Sequence, residues 1–254
     1  ITPTPTIDLG SDLTICADQP VVPLTSVITV AANTTWSTAG NGTFAPVLGN
    51  NTTYTIGTGG ALSDTALGIV TITGTTTGSG QCNEVTDLIN ITITPSVIVS
   101  AGPDQALCAD AGAIPMNGSV LVASGGVWTT LGCGTFTDST DLFTDYIPCN
   151  ADTAAGIVSI ILTSTGNGLC QPVADTVVIR FLPVPLVDAG NDVTICADSA
   201  FVQVTGLVTN AGGGDWSTSG TGNFFVNVST LSAQYVPSNA DTARVQPITL
   251  YLTT

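Results

Sequence analysis

The chain has 254 residues, 43% of them hydrophobic, and a formal net charge of −16 from 18 acidic residues against two arginines, Arg180 and Arg244. It holds no lysine and no histidine, which closes the Ser-His-Asp, Cys-His and Schiff-base routes, and its acidic surface repels nucleic acid and anionic lipid headgroups. The apolar content is enough to bury a core, so the sequence is not that of a disordered acidic tail.

Glu84 is the single glutamate, and the rest of the negative charge is Asp, a turn former. Thr, Val, Ile and Gly dominate, the composition of strands joined by tight turns. From the N-terminus, Ile1-Thr2-Pro3 matches Ile93-Thr94-Pro95, so residues 1–6 are expected to be the tail of a preceding unit and a linker. The string D-L-G-S-D-L-T-I-C-A-D (Asp8 to Asp18) opens a first repeat over 7–94. It returns from Ser100 to Asp110, opening a second repeat over 97–182, and from Asp188 to Asp198, opening a third over 186–254. Trp36, Trp128 and Trp216 are spaced 92 and 88 apart, as are Cys16, Cys108 and Cys196 and the phenylalanines Phe44, Phe136 and Phe224 of a G-x-G-x-F pattern. Tyr54, Tyr146 and Tyr235 follow, then D-T-A at Asp64, Asp152 and Asp241. Self-similarity at a period near ninety residues is the mark of a tandem array.

Within a repeat the hydrophobic period is two. Ile89, Ile91 and Ile93 alternate with Leu88, Asn90 and Thr92, and Val177, Ile179 and Phe181 occupy the same phase one repeat later. Val70 and Ile72 match Val158 and Ile160, and Ile248, Leu250 and Leu252 show the same alternation. Such alternation turns one strand face to a core and the other to water. Gly40-Asn41-Gly42, Gly78-Ser79-Gly80, Gly166-Asn167-Gly168 and Gly212-Gly213-Gly214 supply the turns. About seven short strands in ninety residues predict an all-β fold of tandem immunoglobulin-like β-sandwich domains in a linear array, one disulfide per repeat. The three tryptophans are its expected core anchors. Thr94-Pro95-Ser96-Val97 and Leu182-Pro183-Val184-Pro185 read as short, stiff linkers. By alignment the third repeat lacks its last hairpin and strand, so both ends of the sequence read as cuts.

Seven cysteines are present. Cys16 and Cys82 recur as Cys108 and Cys170, so the expected bridges are Cys16–Cys82 and Cys108–Cys170. Cys133 and Cys149 have no counterparts in the other repeats and are expected to join each other. Cys196 is left unpaired by truncation, its partner falling past Thr254. Disulfides imply an oxidising compartment. Zinc is excluded as the rival because there is no C-x-x-C, no histidine and no close ligand cluster.

No cofactor and no catalytic residue is expected. The glycine-rich stretches lack a following G-K-[ST], and D-T-A recurs once per repeat as a turn-capping Asp rather than as one of a proton-sharing pair. Weak calcium candidates are Asp12, Asp18, Asp104, Asp110, Asp192 and Asp198, although no D-x-D-x-D-G loop is present. No apolar run reaches the ~18 residues that span a bilayer, so neither membrane insertion nor nucleic-acid binding is expected.

The strings A-G-P-D-Q…C-A-D, W-[ST]-T…G-x-G-x-F and D-T-A-x-G-x-V…T-x-T-G-x-G-x-C resemble the Ig-like or PKD-like repeats of very large Bacteroidota surface proteins, the gliding-motility adhesins of the SprB type. The resemblance covers essentially the whole chain. It departs at Leu9 and Ser11, which stand where A-G-P is expected, and at A-R-V in the third repeat. It implies a secreted cell-surface filament exported by type IX secretion. It also implies O-glycosylation at Asp-[Ser/Thr]-apolar triplets: Thr65, Thr153, Thr242, Thr176 and Ser199, with Ser139 a loose fit. The function so implied is a structural stalk of an adhesin on the bacterial outer surface. Its partners would be neighbouring repeats and, through parts outside this sequence, an external surface or polysaccharide. The alternatives are a glycan- or protein-binding repeat array and a self-assembling, S-layer-like filament subunit.

Overall fold

A computed structural model of the chain describes residues 3–60, 63–225, 229, 231–244 and 246–254. Ile1 and Thr2, assigned above to a preceding unit's tail, lie outside them. The chain divides into two compact units. One comprises Ile1–Gln105, Ala113–Cys149 and Val158–Val178; the other comprises Ala106–Gly112, Asn150–Ile157 and Ile179–Thr254.

The strands recur in three sets. In the first repeat, Leu13–Cys16, Thr86–Thr94, Ile69–Thr77 and Asn33–Thr38 form a four-stranded sheet in that spatial order. Val21–Thr25, Asn51–Thr55 and Thr43–Ala45 form a three-stranded sheet, and Thr6–Asp8 pairs with Val27–Thr29. The second repeat has the same order: Gln105–Cys108, Ala174–Leu182, Ile157–Thr165 and Gly125–Thr130 in one sheet, and Ile114–Pro115, Asp145–Ile147 and Thr135–Phe136 in the other. The third keeps the three-stranded sheet of Val202–Thr205, Ser232–Val236 and Asn223–Phe225, with Asp215–Thr218 paired to Leu250–Thr253. This is a nearly all-β chain of tandem immunoglobulin-like sandwiches. Leu13–Cys16 runs parallel to the end of Thr86–Thr94, with Cys16 opposite Thr94.

The period of two decides what is buried. Ile89, Ile91 and Ile93 lie inside the first core with Val70 and Ile72, while Leu88, one step out of their phase, is 58% exposed. Trp36, Trp128 and Trp216 are all buried. The recurring aromatics form one column per repeat. Phe44 lies 6.3 Å from Trp36 and 4.8 Å from Tyr54, ring centre to ring centre. The equivalent distances are 6.3 and 5.2 Å through Phe136 and 6.2 and 5.2 Å through Phe224. Register fixes the column, because Phe44 faces Tyr54, Phe136 faces Tyr146 and Phe224 faces Tyr235 across neighbouring strands.

The D-T-A segments differ from the turn read in sequence. They form one-turn helices at Asp64–Leu67, Asn150–Ala155 and Asn239–Thr242, too short to leave a 3.6-residue pattern. Ser63 caps the first by accepting the Ala66 N–H, and Ser238 with Asp241 closes a capping box on the third.

Candidate functional site: a covalent clamp at the repeat junction

Two features stand out in the chemistry of this chain, a buried aspartate lock that recurs inside repeats and a sulfur bridge that joins the first repeat to the second. In the lock, Asp64 is fully buried. Its carboxylate accepts the Asn41 N–H at 3.0 Å, the Gly57 N–H at 2.8 Å and the Tyr54 hydroxyl. Asp241 does the same work in the third repeat, taking the Thr221 N–H at 2.8 Å, the Ser238 N–H at 3.0 Å and the Tyr235 hydroxyl at 2.8 Å. The G-x-G of each repeat makes room for this. A Cβ on Gly40 or Gly220 would strike the carboxylate, and one on Gly42, Gly134 or Gly222 would strike the tyrosine hydroxyl. Burial, and then the bond to Asp64, push Tyr54 up to about 12, and burial raises Tyr235 in the same direction. The Thr221 N–H, chiefly, holds Asp241 well below the usual carboxylate range. Arg244 adds an ion pair at the 4.0 Å limit, too exposed to contribute much.

The residue between the two glycines ties the same loop shut in three ways. Asn41 Oδ1 accepts the Asp64 N–H at 3.3 Å, and Thr221 and Ser238 share a hydroxyl bond at 2.5 Å. In the second repeat, where sequence arithmetic joined Cys133 to Cys149, the two are disulfide-bonded across a Cα separation of 5.7 Å.

The other bridge corrects the sequence reading. Cys16 is bonded neither to Cys82 nor by way of a bridge internal to its repeat; its partner is Cys170 of the second repeat, with Cα atoms 5.0 Å apart. The expected Cys108–Cys170 bond is thereby also replaced, and Cys108 and Cys196 are exposed free thiols. The parallel pairing gives the reason. Cys16 lies opposite Thr94, at the C-terminal end of Thr86–Thr94, whereas Cys82 precedes that strand's first residue. Eight residue steps at about 3.3 Å put roughly 26 Å between the two ends, and a disulfide needs Cα atoms within about 7 Å.

Around the bridge the junction is specifically built. Asp18 accepts the Gln171 N–H at 2.8 Å, and the Gln19 side-chain amide donates to Leu169 O at 2.9 Å. Ala17 N–H bonds Thr94 O at 2.9 Å, fixing the turn to the linker. Both sulfurs pack near Pro95 O, at 3.8 and 3.4 Å. Beneath them Val97, itself a linker residue, forms an apolar floor with Val99, Val120, Ala123 and Val173. C-A-D therefore has a use in each of its end residues: Cys16 makes the bond, and Asp18 holds the backbone next to the partner sulfur.

The remaining candidates fall elsewhere. Asp12 accepts the Asn90 N–H at 2.9 Å and Asp104 the Val178 N–H at 2.9 Å, each pinning the strand after it to its sheet. Asp110, Asp192 and Asp198 are exposed. No three of these six aspartates gather among the described residues. Thr65 and Thr153 are half-buried on the short helices, Thr242 and Thr176 are exposed, and Ser139 and Ser199 are half-buried. The Thr153 and Thr242 hydroxyls donate to Asn150 O and Asn239 O, each at 3.2 Å.

No family model matches the chain, and no curated protein does. Among solved structures the chain is similar to tandem-domain proteins. The titin I67–I69 fragment, in an E-to-A variant, is 10% identical and matches over 100% of this chain and 95% of that one at a TM-score of 0.47. Mouse cadherin-23 EC22–24 is 12% identical over 98% and 93% at 0.39, and protocadherin gamma B7 cadherin domains 1–4 is 12% identical over 96% and 73% at 0.40.

Proposed function

We propose that this chain is a stalk segment of a large secreted bacterial cell-surface adhesin of the Bacteroidota type, with no catalytic activity, whose repeats hold a binding tip away from the cell. The observation that carries this reading is the Cys16–Cys170 bridge, which joins one repeat to the next instead of closing either. A bond at that place adds nothing to a self-contained binding module but resists bending and pulling at the junction. In the chain-entropy model a loop of 154 residues stabilises by roughly 5 kcal/mol against the unfolded chain. Disulfides suit an oxidising exterior, and no helix among the described residues is long and apolar enough to cross a membrane. Export by type IX secretion and a role in gliding belong to the same proposal, as does sugar on the exposed Thr242 and Thr176, which intact-mass measurement on native material would detect.

Small-angle scattering on the full chain tests the stalk. A constant slender cross-section is expected, with a maximum dimension that shortens and broadens on reduction of the bridges. A compact particle insensitive to reductant would overturn the reading.

A further inference from the structure

We propose that the C-A-D turns at Cys108–Asp110 and Cys196–Asp198 are covalent docking half-sites for the hairpin of another repeat of the same kind, so that every junction in an array is clamped as the first is. The proposal rests on the stalk reading and deepens it. In the one junction formed here, Cys16 bonds the hairpin cysteine Cys170 while Asp18 takes the N–H of the next residue, Gln171. Cys108 with Asp110 and Cys196 with Asp198 reproduce that pair at the same spacing. Both thiols are free and exposed, and both aspartates are exposed.

The complementary half-site is also present. Cys82 is the hairpin cysteine of the first repeat. Its sulfur lies 3.8 Å from Pro3 O, as that of Cys170 lies 3.4 Å from Pro95 O, and Pro3 is the counterpart of Pro95. The residue types of the apolar floor recur in the first repeat. Val97, Val99, Val120, Ala123 and Val173 of the formed junction align with Pro5, Ile7, Ile28, Ala31 and Val85. Pro5 is buried and the other four are half-buried. The first repeat thus carries, at aligned positions, the residue types that build the acceptor face of the second.

Clamping is a two-electron oxidation. Two thiols and one molecule of a small disulfide give the protein disulfide and two small thiols, each protein sulfur losing its proton to one of them. A second copy of the chain is the probe, with oxidised and reduced glutathione as the redox couple. Incubated at high protein concentration and mapped as non-reduced peptides, the chain is expected to form head-to-tail oligomers. Cys196–Cys82 should be the dominant new link, accompanied at most by Cys108–Cys82. Cys82→Ser should abolish the ladder while leaving Cys16–Cys170 and the far-ultraviolet spectrum intact. Asp198→Asn should lower the yield about fivefold. Glutathione adducts without protein cross-links, or symmetric Cys196–Cys196 links in equal yield, would overturn the proposal, and an unchanged Asp198→Asn yield would remove the aspartate from the half-site. Scattering by the single chain reads the stalk separately, so failure of one is not failure of the other.

Discussion

The first and second repeats solve the same packing problem beside their tryptophans with opposite residues. Opposite Trp36 the first repeat has Gly74, opposite Trp128 the second has Leu162, and opposite Trp216 the third has Leu252. Leu9 fills the space over Gly74, where an added Cβ would come within 2.7 Å of its Cδ2. Its counterpart in the second repeat is Ala101, and the space there is taken by Leu162 instead, which approaches the Cβ positions of Gly118 and Gly126 at 2.6 and 2.8 Å. Where those glycines stand, the first repeat has Ser26 and Thr34, buried and sharing a hydroxyl bond of 2.6 Å. Four positions have exchanged together. The departure at Leu9 from the recurring A-G-P is therefore half of a volume-conserving exchange, and close packing explains why it cannot occur alone.

The sharpest way to break the comparison is Leu162→Gly. It should cost roughly 4–5 kcal/mol from lost burial, a cavity and strand glycine, read as faster amide exchange across Gly125–Thr130. Adding Ala101→Leu should recover more than 1 kcal/mol of it if the exchange is truly compensating; additive losses would refute the coupling. Asp64→Ala comes next, at about 3–4 kcal/mol, because it strands the Tyr54 hydroxyl and the Asn41 and Gly57 N–H groups. Asp241→Ala should cost a similar amount in the third repeat, since its carboxylate likewise holds two N–H groups and a tyrosine hydroxyl. Thermal unfolding of the two variants compares them directly. Ser26→Ala should cost about 1–2 kcal/mol by leaving the Thr34 hydroxyl with a weakened set of partners, whereas the second repeat, with glycine there, has no such group to lose.

The smallest effect is on alkaline stability. The folded pKa of Tyr54 is raised from 10.0 to about 12, so the neutral phenol is favoured by folding. Its contribution is fully present below pH 10 and is lost as pH rises from about 10 towards 12. Absorbance titration should show its ionisation delayed, and Tyr54→Phe should remove that delayed step. Asp241 works with the opposite sign. Its lowered pKa stabilises the fold above the ordinary carboxylate range, and that contribution is lost as acid protonates it.

Much of the fold was legible in residue order because a period of two, the turn glycines and the recurring Trp, Phe and Tyr act locally or through strand register. Ile89, Ile91 and Ile93 announce their buried face by alternation alone. The purpose of G-x-G was not legible, because the carboxylate that requires its missing Cβ atoms arrives from twenty-odd residues away. C-A-D was visible as a motif, and its Asp18 was read as a weak calcium candidate when its partner is a backbone N–H of the following repeat.

What the sequence by itself determined is the repeat, its length, its strands and the isolation of Cys133 and Cys149 as a pair. Only the tertiary structure decided where the other sulfurs bond. Counting places Cys16 and Cys82 in one repeat, but the parallel seating of Leu13–Cys16 against Thr86–Thr94 carries them to opposite ends of the sandwich. Covalent bonds form between atoms that are close in space, and the length of a single strand is enough to separate two residues that the repeat pattern puts together.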